Sequence, residues 1–353
     1  AYVPELTKAL RVGPQSAGAV PGPAAYDKGG EAPTVTDANV VLGYLPGDAK
    51  LGGDMTIRRD LAVKAMETIA GPLGKSVEDA AEGVIAIVNE NMCGALRLVS
   101  VEQGYDPRDF ALIGFGGAGP LHANALAKLI NSWPAIVPPG PGVLCAYGDA
   151  TTRLRNEASQ TFVTRTSATT DAEIRGMLEK LAAEAASDLE SEGVSKAEQE
   201  AIYQIDIRYH GQGMKLTVDI SPEDFARDGV AGVAARFDAE HEKLFTFALD
   251  AEHELVGLRA VVQGGEKPFI NREFSTGGGA AAAVVHESRL YADGAWHEAK
   301  IYDRSKLSPG DRVAGPAIVT EMDSTSLILP GHVGVIDAVG NILLWPVGHE
   351  HAR

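Results

Sequence analysis

Phe110-Ala-Leu-Ile-Gly-Phe-Gly-Gly-Ala-Gly-Pro-Leu-His122 is the stretch of this 353-residue sequence that decides its fold. Its first six residues form a short apolar run, which is typical of a buried parallel strand. The run leads into a glycine-rich segment, residues 116–119, called here the glycine turn, and then into a predicted helix over 121–130. The apolar residues 135–137 predict the next buried strand. Strand, glycine turn, helix and strand in this order predict an α/β unit.

The N-terminal side of this unit is predicted to be loop and then helix. Residues 1–55 are dense in Gly and Pro, which forbids a long helix before about residue 36. Within this segment, Thr36 or Asp37 is the predicted cap of a short helix. Residues 56–150 form the predicted α/β lobe, in which Ser76-Val-Glu-Asp79 has the pattern of a capping box at a helix start.

The C-terminal side changes character after residue 150. Residues 151–276 predict an α+β domain, with an amphipathic helix over 170–192 and a hairpin whose strands alternate apolar and polar side chains. Residues 277–283, three glycines and four alanines, predict a flexible linker. Residues 284–353 are short apolar runs separated by Asp-Gly and Pro-Gly pairs, which predict a small β-domain.

Composition and charge exclude several classes of function. The sequence has 31 Lys and Arg against 48 Asp and Glu, a formal net charge of -17, which argues against nucleic acid or an anionic membrane as the main partner. Apolar stretches are interrupted by Gly, Pro or charge before 18 residues, so no membrane span is predicted. Two cysteines, Cys93 and Cys145, are too few for a disulfide scaffold and indicate the reducing cytoplasm.

The glycine turn is the strongest candidate for a binding site. A strand followed by glycines and a helix directs free backbone N–H groups and the positive helix end toward an anion or a nucleotide. The turn lacks the Gly-Lys-Ser/Thr of a Walker A loop, and its spacing is not that of the dinucleotide fingerprint. Spacing alone leaves two interpretations open, namely nucleotide contact and a tight turn without a ligand.

Two further side chains are candidates for chemistry. His122 lies in the first turn of the predicted helix, where a neutral imidazole can bind a metal or form a hydrogen bond, or can simply pack in the core. Asp37 lies in Pro33-Thr-Val-Thr-Asp-Ala-Asn39 and could either bind a metal or cap a helix. The same two interpretations are open for Asn39. The other histidines show no metal-binding spacing.

Several blocks, taken in order, resemble the hydantoinase A/5-oxoprolinase family. The resemblance extends from about residue 9 to about residue 345, nearly the whole chain. It rests on Arg11-Val-Gly-Pro-Gln-Ser-Ala-Gly-Ala19, Pro21-Gly-Pro-Ala-Ala-Tyr26, the 33–39 and 114–122 blocks, residues 138–146, Arg208-Tyr-His-Gly-Gln212 and Gly315-Pro-Ala-Ile-Val-Thr-Glu-Met-Asp-Ser324. One departure is Ala25, which stands where family members typically carry a cysteine.

The resemblance implies the second lobe of an actin-like/sugar-kinase (ribonuclease H-like) ATPase fold with C-terminal β-rich domains. Residues 1–55 would complete this lobe, and Gly116, Gly117, Ala118 and Gly119 would contact the nucleotide. Family members also carry Asp-Gly-Gly-Thr phosphate loops, which this sequence lacks. The resemblance therefore implies that this chain contributes half of an ATP site. The chain would be a split or processed A-type subunit, completed by an N-terminal half that carries the phosphate loops. Alone, it would be unable to hydrolyse ATP.

The family activity that follows is ATP-dependent opening of cyclic amides such as hydantoins, 5-oxoproline or lactams. The A-type subunit uses ATP and Mg²⁺, with Zn²⁺ or Mn²⁺ as alternatives, to phosphorylate the carbonyl oxygen of a small-molecule substrate, and a B-type subunit completes the reaction. His122 and Asp37 would be the catalytic or metal-binding residues. Two alternatives stay open: a subunit of an acetone- or acetophenone-type carboxylase, and a structural subunit without its own chemistry.

Overall fold

The structure, a computed structural model, describes residues 1–47, 56–265 and 279–352. These residues form two compact units. The first unit combines residues 1–147 with residues 279–352, and the second consists of residues 148–265. The second unit begins close to the predicted start of the α+β domain. The C-terminal residues differ from the prediction, because they belong to the same unit as the α/β lobe.

The described residues alternate helices and strands along the chain. The helices are α1 (Val35–Val41), α2 (Arg59–Leu73), α3 (Val77–Val99), α4 (Gly119–Ile130), α5 (Leu144–Thr151), α6 (Asp171–Ser191) and α7 (Pro222–Phe245). The strands are β1 (Leu112–Ile113), β2 (Ala135–Val137), β3 (Arg155–Arg165), β4 (Glu200–Tyr209), β5 (Leu216–Ile220), β6 (His253–Gln263), β7 (Val284–Ala292), β8 (Ala295–Asp303), β9 (Arg312–Ala314), β10 (Ala317–Thr320), β11 (Thr325–Ile328), β12 (His332–Ile336) and β13 (Ile342–Pro346).

Two helices in the N-terminal part of the first unit, α1 and α3, are capped by hydroxyl side chains. Thr34 Oγ1 accepts a hydrogen bond from the Asp37 amide at 3.2 Å, and the Asp37 carboxylate accepts one from the Thr34 amide at 2.9 Å. The predicted caps of α1, Thr36 and Asp37, are wrong, because Asp37 is the third-residue partner of a capping box that begins at Thr34. The predicted cap of α3 is confirmed, since Ser76 Oγ accepts the Asp79 amide at 3.0 Å.

The α/β part of the first unit is built on a five-stranded sheet of order β1-β2-β13-β12-β9. The predicted parallel pair is confirmed, with Leu112 opposite Ala135 and Ile113 opposite Ile136. The predicted burial of the first strand is wrong, because Ile113 is 54% exposed and Phe110 is 51% exposed. The reason is that β1 is the edge strand and has a neighbouring strand on one side only within the described residues.

The C-terminal strands complete the first unit instead of forming a separate domain. β13 lies antiparallel to β2, with Leu343 opposite Ile136, so the end of the chain extends the sheet of the glycine turn. A second sheet of order β11-β10-β8-β7 contains the antiparallel pair β7 and β8, which are joined at Asp293-Gly294, one of the predicted Asp-Gly turns. The predicted linker is wrong where it is described, because residues 280–283 form a 3-10 helix and Ala283 is buried. Its first two glycines, 277 and 278, lie outside the described residues.

The second unit has its own antiparallel sheet and core. The sheet has the order β3-β6-β4-β5, and the predicted hairpin is the β4–β5 pair, with Tyr203 opposite Ile220. α6 and α7 pack on this sheet, and the predicted helix over 170–192 is confirmed as α6, capped by Thr170. The largest fully buried side chains of this core are Tyr209, Phe225, Phe237, Ile174, Leu178, Leu189, Ile205, Ile207, Ile220 and Leu255.

One helical segment is long and apolar enough to cross a membrane by length and composition. It is Val77–Gln103, with a mean hydropathy of 1.4 in its best window, of which 22% is buried. Glu90, Gly94 and Arg97 interrupt this segment, as predicted for the apolar stretches of the sequence. Such a segment is weak evidence for a membrane span, because α3 places Ala80, Ala81 and Val84 in the core of the first unit, and core helices pass the same test.

Candidate functional site at the glycine turn

The glycine turn joins β1 to α4 through a backbone that favours glycine. Gly116 has a φ of +82°, and its N–H donates a hydrogen bond to the Pro141 carbonyl at 2.7 Å. α4 begins at Gly119, and its N-cap, Ala118, has no side chain that can accept a hydrogen bond. Gly117 and Ala118 are exposed. The turn therefore presents backbone N–H groups and the positive end of a helix to solvent.

Two other loops meet the glycine turn. The loop at residues 138–142 follows β2 and provides the carbonyl that Gly116 binds. The loop at residues 321–324 connects β10 to β11, and Ser324 Oγ in it donates to the Gly117 carbonyl at 3.3 Å. Three segments that are far apart in sequence are therefore hydrogen-bonded into one surface.

The contact between these two loops is close. A Cβ atom on Gly142 would lie 2.5 Å from the Asp323 carbonyl oxygen and 2.7 Å from Asp323 Oδ2, so glycine is required there. Asp323 Oδ2 is itself buried and has no hydrogen-bond partner among the described residues. A carboxylate therefore lies beside the glycine turn with one oxygen unused.

A buried ion pair holds the loops together. Arg304 Nη1 lies 3.1 Å from Glu321 Oε1, and Arg304 Nη2 donates to the carbonyl oxygens of Val137 at 2.9 Å and Gly340 at 3.0 Å. Glu321 Oε2 accepts the Gly140 amide at 3.3 Å. Burial lowers the pKa of Arg304 and raises the pKa of Glu321, and the attraction between the two charges opposes both shifts. The pair ties the loop after β2 to the C-terminal strands.

His122 is a buried, neutral histidine in the first turn of α4. Its side chain is 5% exposed, and Nδ1 lies 2.8 Å from Asn89 Oδ1 on α3. Burial lowers the pKa of His122 to about 4. Because an amide oxygen only accepts hydrogen bonds, Nδ1 carries the proton and Nε2 keeps a free lone pair. The predicted neutral imidazole is therefore present, although burial is the cause of its low pKa.

His122 also lines an apolar groove beside the glycine turn. The groove lies between α3, β1 and α4 and has a volume of about 330 Å³. Its other walls are mainly apolar side chains, among them Met92, Leu96, Ile113, Phe115 and Leu126. A groove of this kind suits an apolar chain or ring, with the imidazole as its polar group.

The hydrogen bonds of Asp37 favour a structural role, as the third-residue partner of the capping box that begins at Thr34. Its side chain is fully buried. Oδ1 accepts the Ala25 amide at 2.8 Å, and Oδ2 accepts the Ala24 amide at 3.3 Å and the Thr34 hydroxyl at 2.7 Å in addition to the Thr34 amide. Asn39, two residues further on, is also buried, and its Oδ1 has no partner among the described residues. Asp37 thus fixes the loop before α1.

Neither metal ligation nor a reactive thiol has support in the geometry. Over residues 1–47, 56–265 and 279–352, no group of three His, Cys, Asp or Glu side chains is placed to hold a metal ion. Metal ligation by Asp37 and His122 stays a prediction. Cys93 is buried, and burial raises the pKa of its thiol, whereas Cys145 is exposed and unpaired.

Comparison with known proteins decides the family. The family model described as hydantoinase/oxoprolinase matches residues 2–158, and the model of the hydantoinase/oxoprolinase C-terminal domain matches residues 162–342. The chain belongs to the hydantoinase/oxoprolinase family. The resemblance stated from the sequence blocks is therefore confirmed.

The relatives with named activities include a caprolactamase subunit and a carboxylase subunit. The chain is 37% identical to the caprolactamase subunit alpha of Pseudomonas jessenii over 349 residues, which cover 96% of this chain and 50% of that protein. It is 34% identical to the acetophenone carboxylase gamma subunit of Aromatoleum aromaticum over 337 residues, which cover 91% of this chain and 46% of that protein. Both names designate subunits of larger enzymes.

A solved member of the family has the same fold. The crystal structure of ATP-dependent caprolactamase from Pseudomonas jessenii superposes with a TM-score of 0.86 at 35% identity, covering 97% of this chain and 51% of that chain. The chain spans about half the length of the curated relatives named above.

Three of the family blocks lie at the glycine turn, and sequence reasoning missed how they are held together. The blocks are residues 114–122, 138–146 and 315–324. Glu321 and Asp323 could have been singled out, because they stand within the last of these blocks. Arg304 carries no local signal, since its role depends on carbonyl groups that only the folded chain brings near it.

Proposed function

We propose that the chain forms the glycine-turn half of the ATP site of an ATP-dependent cyclic-amide hydrolase of the hydantoinase/oxoprolinase family. The observation that carries the proposal is the likeness to ATP-dependent caprolactamase, 35% identical with a TM-score of 0.86 over 97% of the chain. The proposed substrates are hydantoins, 5-oxoproline or lactams. ATP, when bound, supplies the phosphoryl group that activates the carbonyl oxygen of the ring.

The residues of the glycine turn fit a nucleotide. Gly117, Ala118 and Gly119 offer backbone N–H groups at a helix start, whereas the N–H of Gly116 is bound to the Pro141 carbonyl. The three glycines, Gly116, Gly117 and Gly119, lack the Cβ that would keep a ligand away from the backbone. In this proposal the Arg304–Glu321 pair holds the turn in place. The first unit is then the second lobe of an actin-like ATPase fold, to which the segment before α1 belongs.

The remaining parts of the proposed site come from other polypeptide segments. Mg²⁺ bound to nucleotide phosphates needs only one or two protein carboxylates. We assign these carboxylates to an N-terminal half that carries the Asp-Gly-Gly-Thr phosphate loops, and the completion of ring opening to a B-type subunit. Of the predicted catalytic residues, His122 keeps a proposed role in accepting a hydrogen bond from substrate through Nε2, and Asp37 fixes the loop before α1. The proposed compartment is the cytoplasm.

The substitution Gly117→Ala tests whether a nucleotide contacts the backbone of the glycine turn. In the folded chain, a Cβ there meets only the Asp323 carbonyl oxygen at 3.6 Å, an ordinary contact, so Gly117→Ala keeps its stability. If ATP approaches the backbone here, the Kd for a fluorescent ATP analogue rises about tenfold in the variant, which corresponds to about 1.4 kcal/mol.

The control for this test is Gly71→Ala on α2, where a Cβ meets nothing within 4 Å. This control keeps the Kd for the ATP analogue. An unchanged Kd in Gly117→Ala would contradict nucleotide contact at the turn. ATP hydrolysis by the purified chain alone would contradict the shared site.

The carboxylase relative supports a second candidate function. The 34% identity to the acetophenone carboxylase gamma subunit favours carboxylation of a ketone as the alternative to ring opening. Product analysis of the assembled enzyme with ATP separates them, with caprolactam or 5-oxoproline in one assay and acetophenone plus bicarbonate in the other. A ring-opened amino acid supports the hydrolase. A carboxylated ketone supports the carboxylase, and no product in either assay leaves a structural subunit.

A further inference from the structure

The carboxylate of Asp323 lies beside the glycine turn with an unused hydrogen-bond acceptor. Its Oδ2 atom is buried and accepts no hydrogen bond from the residues that the structure describes. A carboxylate oxygen loses its water shell on burial and needs donors in exchange. Such an acceptor, placed at a candidate binding site, is suited to a donor group on a ligand.

The loop at residues 321–324 determines where this carboxylate lies. The Glu321 N–H donates to the Ser324 carbonyl at 3.0 Å, which closes the loop into a tight turn, and Ser324 Oγ donates to the Gly117 carbonyl at 3.3 Å. A Cβ atom on Gly117 would lie 3.6 Å from the Asp323 carbonyl oxygen. Asp323 is therefore next to the backbone that is proposed to contact ATP.

The neighbouring charged groups have other partners. Glu321 uses one carboxylate oxygen for Arg304 and the other for the Gly140 amide. Arg304 directs its second terminal nitrogen to two backbone carbonyl groups. Because Glu321 is the counter-ion of Arg304, Asp323 is not needed to complete this pair.

The Asp323 carboxylate can turn toward a ligand without a change of the backbone. The residue as a whole is half-buried. Rotation about the Cβ–Cγ bond of an aspartate is soft and exchanges its two oxygens. Either oxygen can therefore serve as the acceptor on the side of the glycine turn.

We infer that Asp323 recognises the ribose of the bound nucleotide, with its carboxylate accepting a hydrogen bond from a ribose hydroxyl group. The inference rests on the proposed function for the presence of ATP at the glycine turn. An acidic side chain near a glycine-rich turn binds a ribose hydroxyl in the same way in dinucleotide-binding folds. Asp323 is then a specificity-determining residue, which distinguishes ribonucleotides from deoxyribonucleotides.

Other parts of the nucleotide fit this carboxylate less well. The phosphates carry negative charge, which a carboxylate repels. The amino group of adenine is a donor, but it lies at the far end of the base, whereas the ribose is joined directly to the phosphates that a helix start attracts. Mg²⁺ takes octahedral oxygen ligands, and Glu321, the other carboxylate of this loop, has both oxygens in use.

The experiment compares ATP with two derivatives that each lack one ribose hydroxyl. The Kd values of ATP, 2′-deoxy-ATP and 3′-deoxy-ATP for the full chain are measured by isothermal titration calorimetry in the presence of Mg²⁺. We expect one of the derivatives to bind about tenfold more weakly than ATP, because it leaves the charged acceptor without its donor. In Asp323→Ala, the Kd for ATP should rise about tenfold, and ATP should bind no better than the derivatives.

Two further variants identify the carboxylate as the group that matters. Asp323→Asn keeps an oxygen acceptor without the charge, so it should retain a smaller preference for ATP. Met322→Ala is the matched control, because Met322 lies in the same loop and is 80% exposed. The control keeps the full preference for ATP.

The stability of the chain without nucleotide separates ribose binding from a structural role. Since Asp323 Oδ2 has no partner among the described residues, Asp323→Ala should unfold at the same denaturant concentration as the wild type or at a higher one. A clearly lower midpoint would show that the carboxylate holds the loop, and would overturn the inference.

Three binding results also overturn the inference. These results are equal Kd values for ATP and both derivatives in the wild type, a preference for ATP that persists in Asp323→Ala, and a weaker binding of purine riboside triphosphate, which lacks the amino group of adenine, that Asp323→Ala abolishes. ATP binding without a preference for ribose overturns the role of Asp323 alone. A wild-type chain that binds no ATP removes the proposed function and this inference together.

Discussion

His122 links the site to the stability of the fold. Burial holds its pKa at about 4 against an ordinary value of 6.5. Between pH 6.5 and pH 4 the unfolded chain binds more protons than the folded chain at this residue, so stability falls as the pH falls. The contribution is complete above pH 6.5, and about 3 kcal/mol is lost by pH 4. Denaturant unfolding at pH 7 and pH 4.5 measures the loss.

His122→Asn isolates this effect, because the amide keeps a donor for Asn89 Oδ1 but does not titrate in this range. The variant should lose less stability than the wild type between the two pH values. Parallel losses in both proteins would mean that His122 titrates normally in the folded state. At pH 7, His122→Ala should also lower the activity of the assembled enzyme while the chain remains folded.

Asp37 is expected to act through the fold alone. Asp37→Ala removes the acceptor of three backbone amides and one hydroxyl in a fully buried position. Unpaired buried donors are expensive, so the free energy of unfolding should fall by about 3 kcal/mol. Denaturant titration with and without Mg²⁺ or Mn²⁺ measures this. A metal-dependent stabilisation of the wild type that Asp37→Ala abolishes would contradict the capping role and support a metal site.

At the scale of elements, the Arg304–Glu321 pair is predicted to determine the order of the glycine turn. Glu321→Gln leaves the Arg304 guanidinium charged and buried without its counter-ion, which should lower the free energy of unfolding by about 3 kcal/mol. It should also weaken binding of the ATP analogue, because the loop at 138–142 carries the acceptor for Gly116. Denaturant unfolding and nucleotide titration measure the two effects.

The matched control is Asp27→Asn. The Arg58–Asp27 pair has the same separation of 3.1 Å, but the two side chains are 45% and 59% exposed. Solvent screens such a pair, so its loss should change the unfolding free energy by less than about 1 kcal/mol. Equal losses in the two variants, or unchanged nucleotide binding in Glu321→Gln, would contradict a special role for the buried pair.

Elements that depend on neighbours in sequence were predictable. The capping pattern at Ser76, the 170–192 helix and the β4–β5 hairpin each carry a local signal, and all three are present. The burial of β1 was not predictable, because an apolar run has the same composition in the middle of a sheet and at its edge. The glycine turn was predictable as a turn, whereas the loops that hold it were not.

At the scale of the whole molecule, the sequence suggested consecutive domains, and the structure has an interrupted first unit. The pairing of β2 with β13 brings Ile136 next to Leu343. Such a contact leaves no trace in local periodicity, because the two strands are far apart in sequence, with the second unit between them along the chain. The short C-terminal strands could therefore be predicted from the sequence as strands, but the sheet to which they belong could not.

This interruption predicts how the chain behaves when it is divided. The Gly148–Ile270 segment contains its whole sheet and its own core, so it should unfold in one cooperative transition when expressed alone. The Ala1–Tyr147 segment should not unfold cooperatively when expressed alone. Without the C-terminal strands, β2 loses its pairing with β13, and the apolar face of β2 is uncovered. Thermal unfolding followed by circular dichroism measures the cooperativity of both segments. Co-expression of residues 1–147 with residues 271–353 should restore a cooperative transition. A cooperative transition in residues 1–147 alone would show that the C-terminal strands are an addition to an already stable lobe.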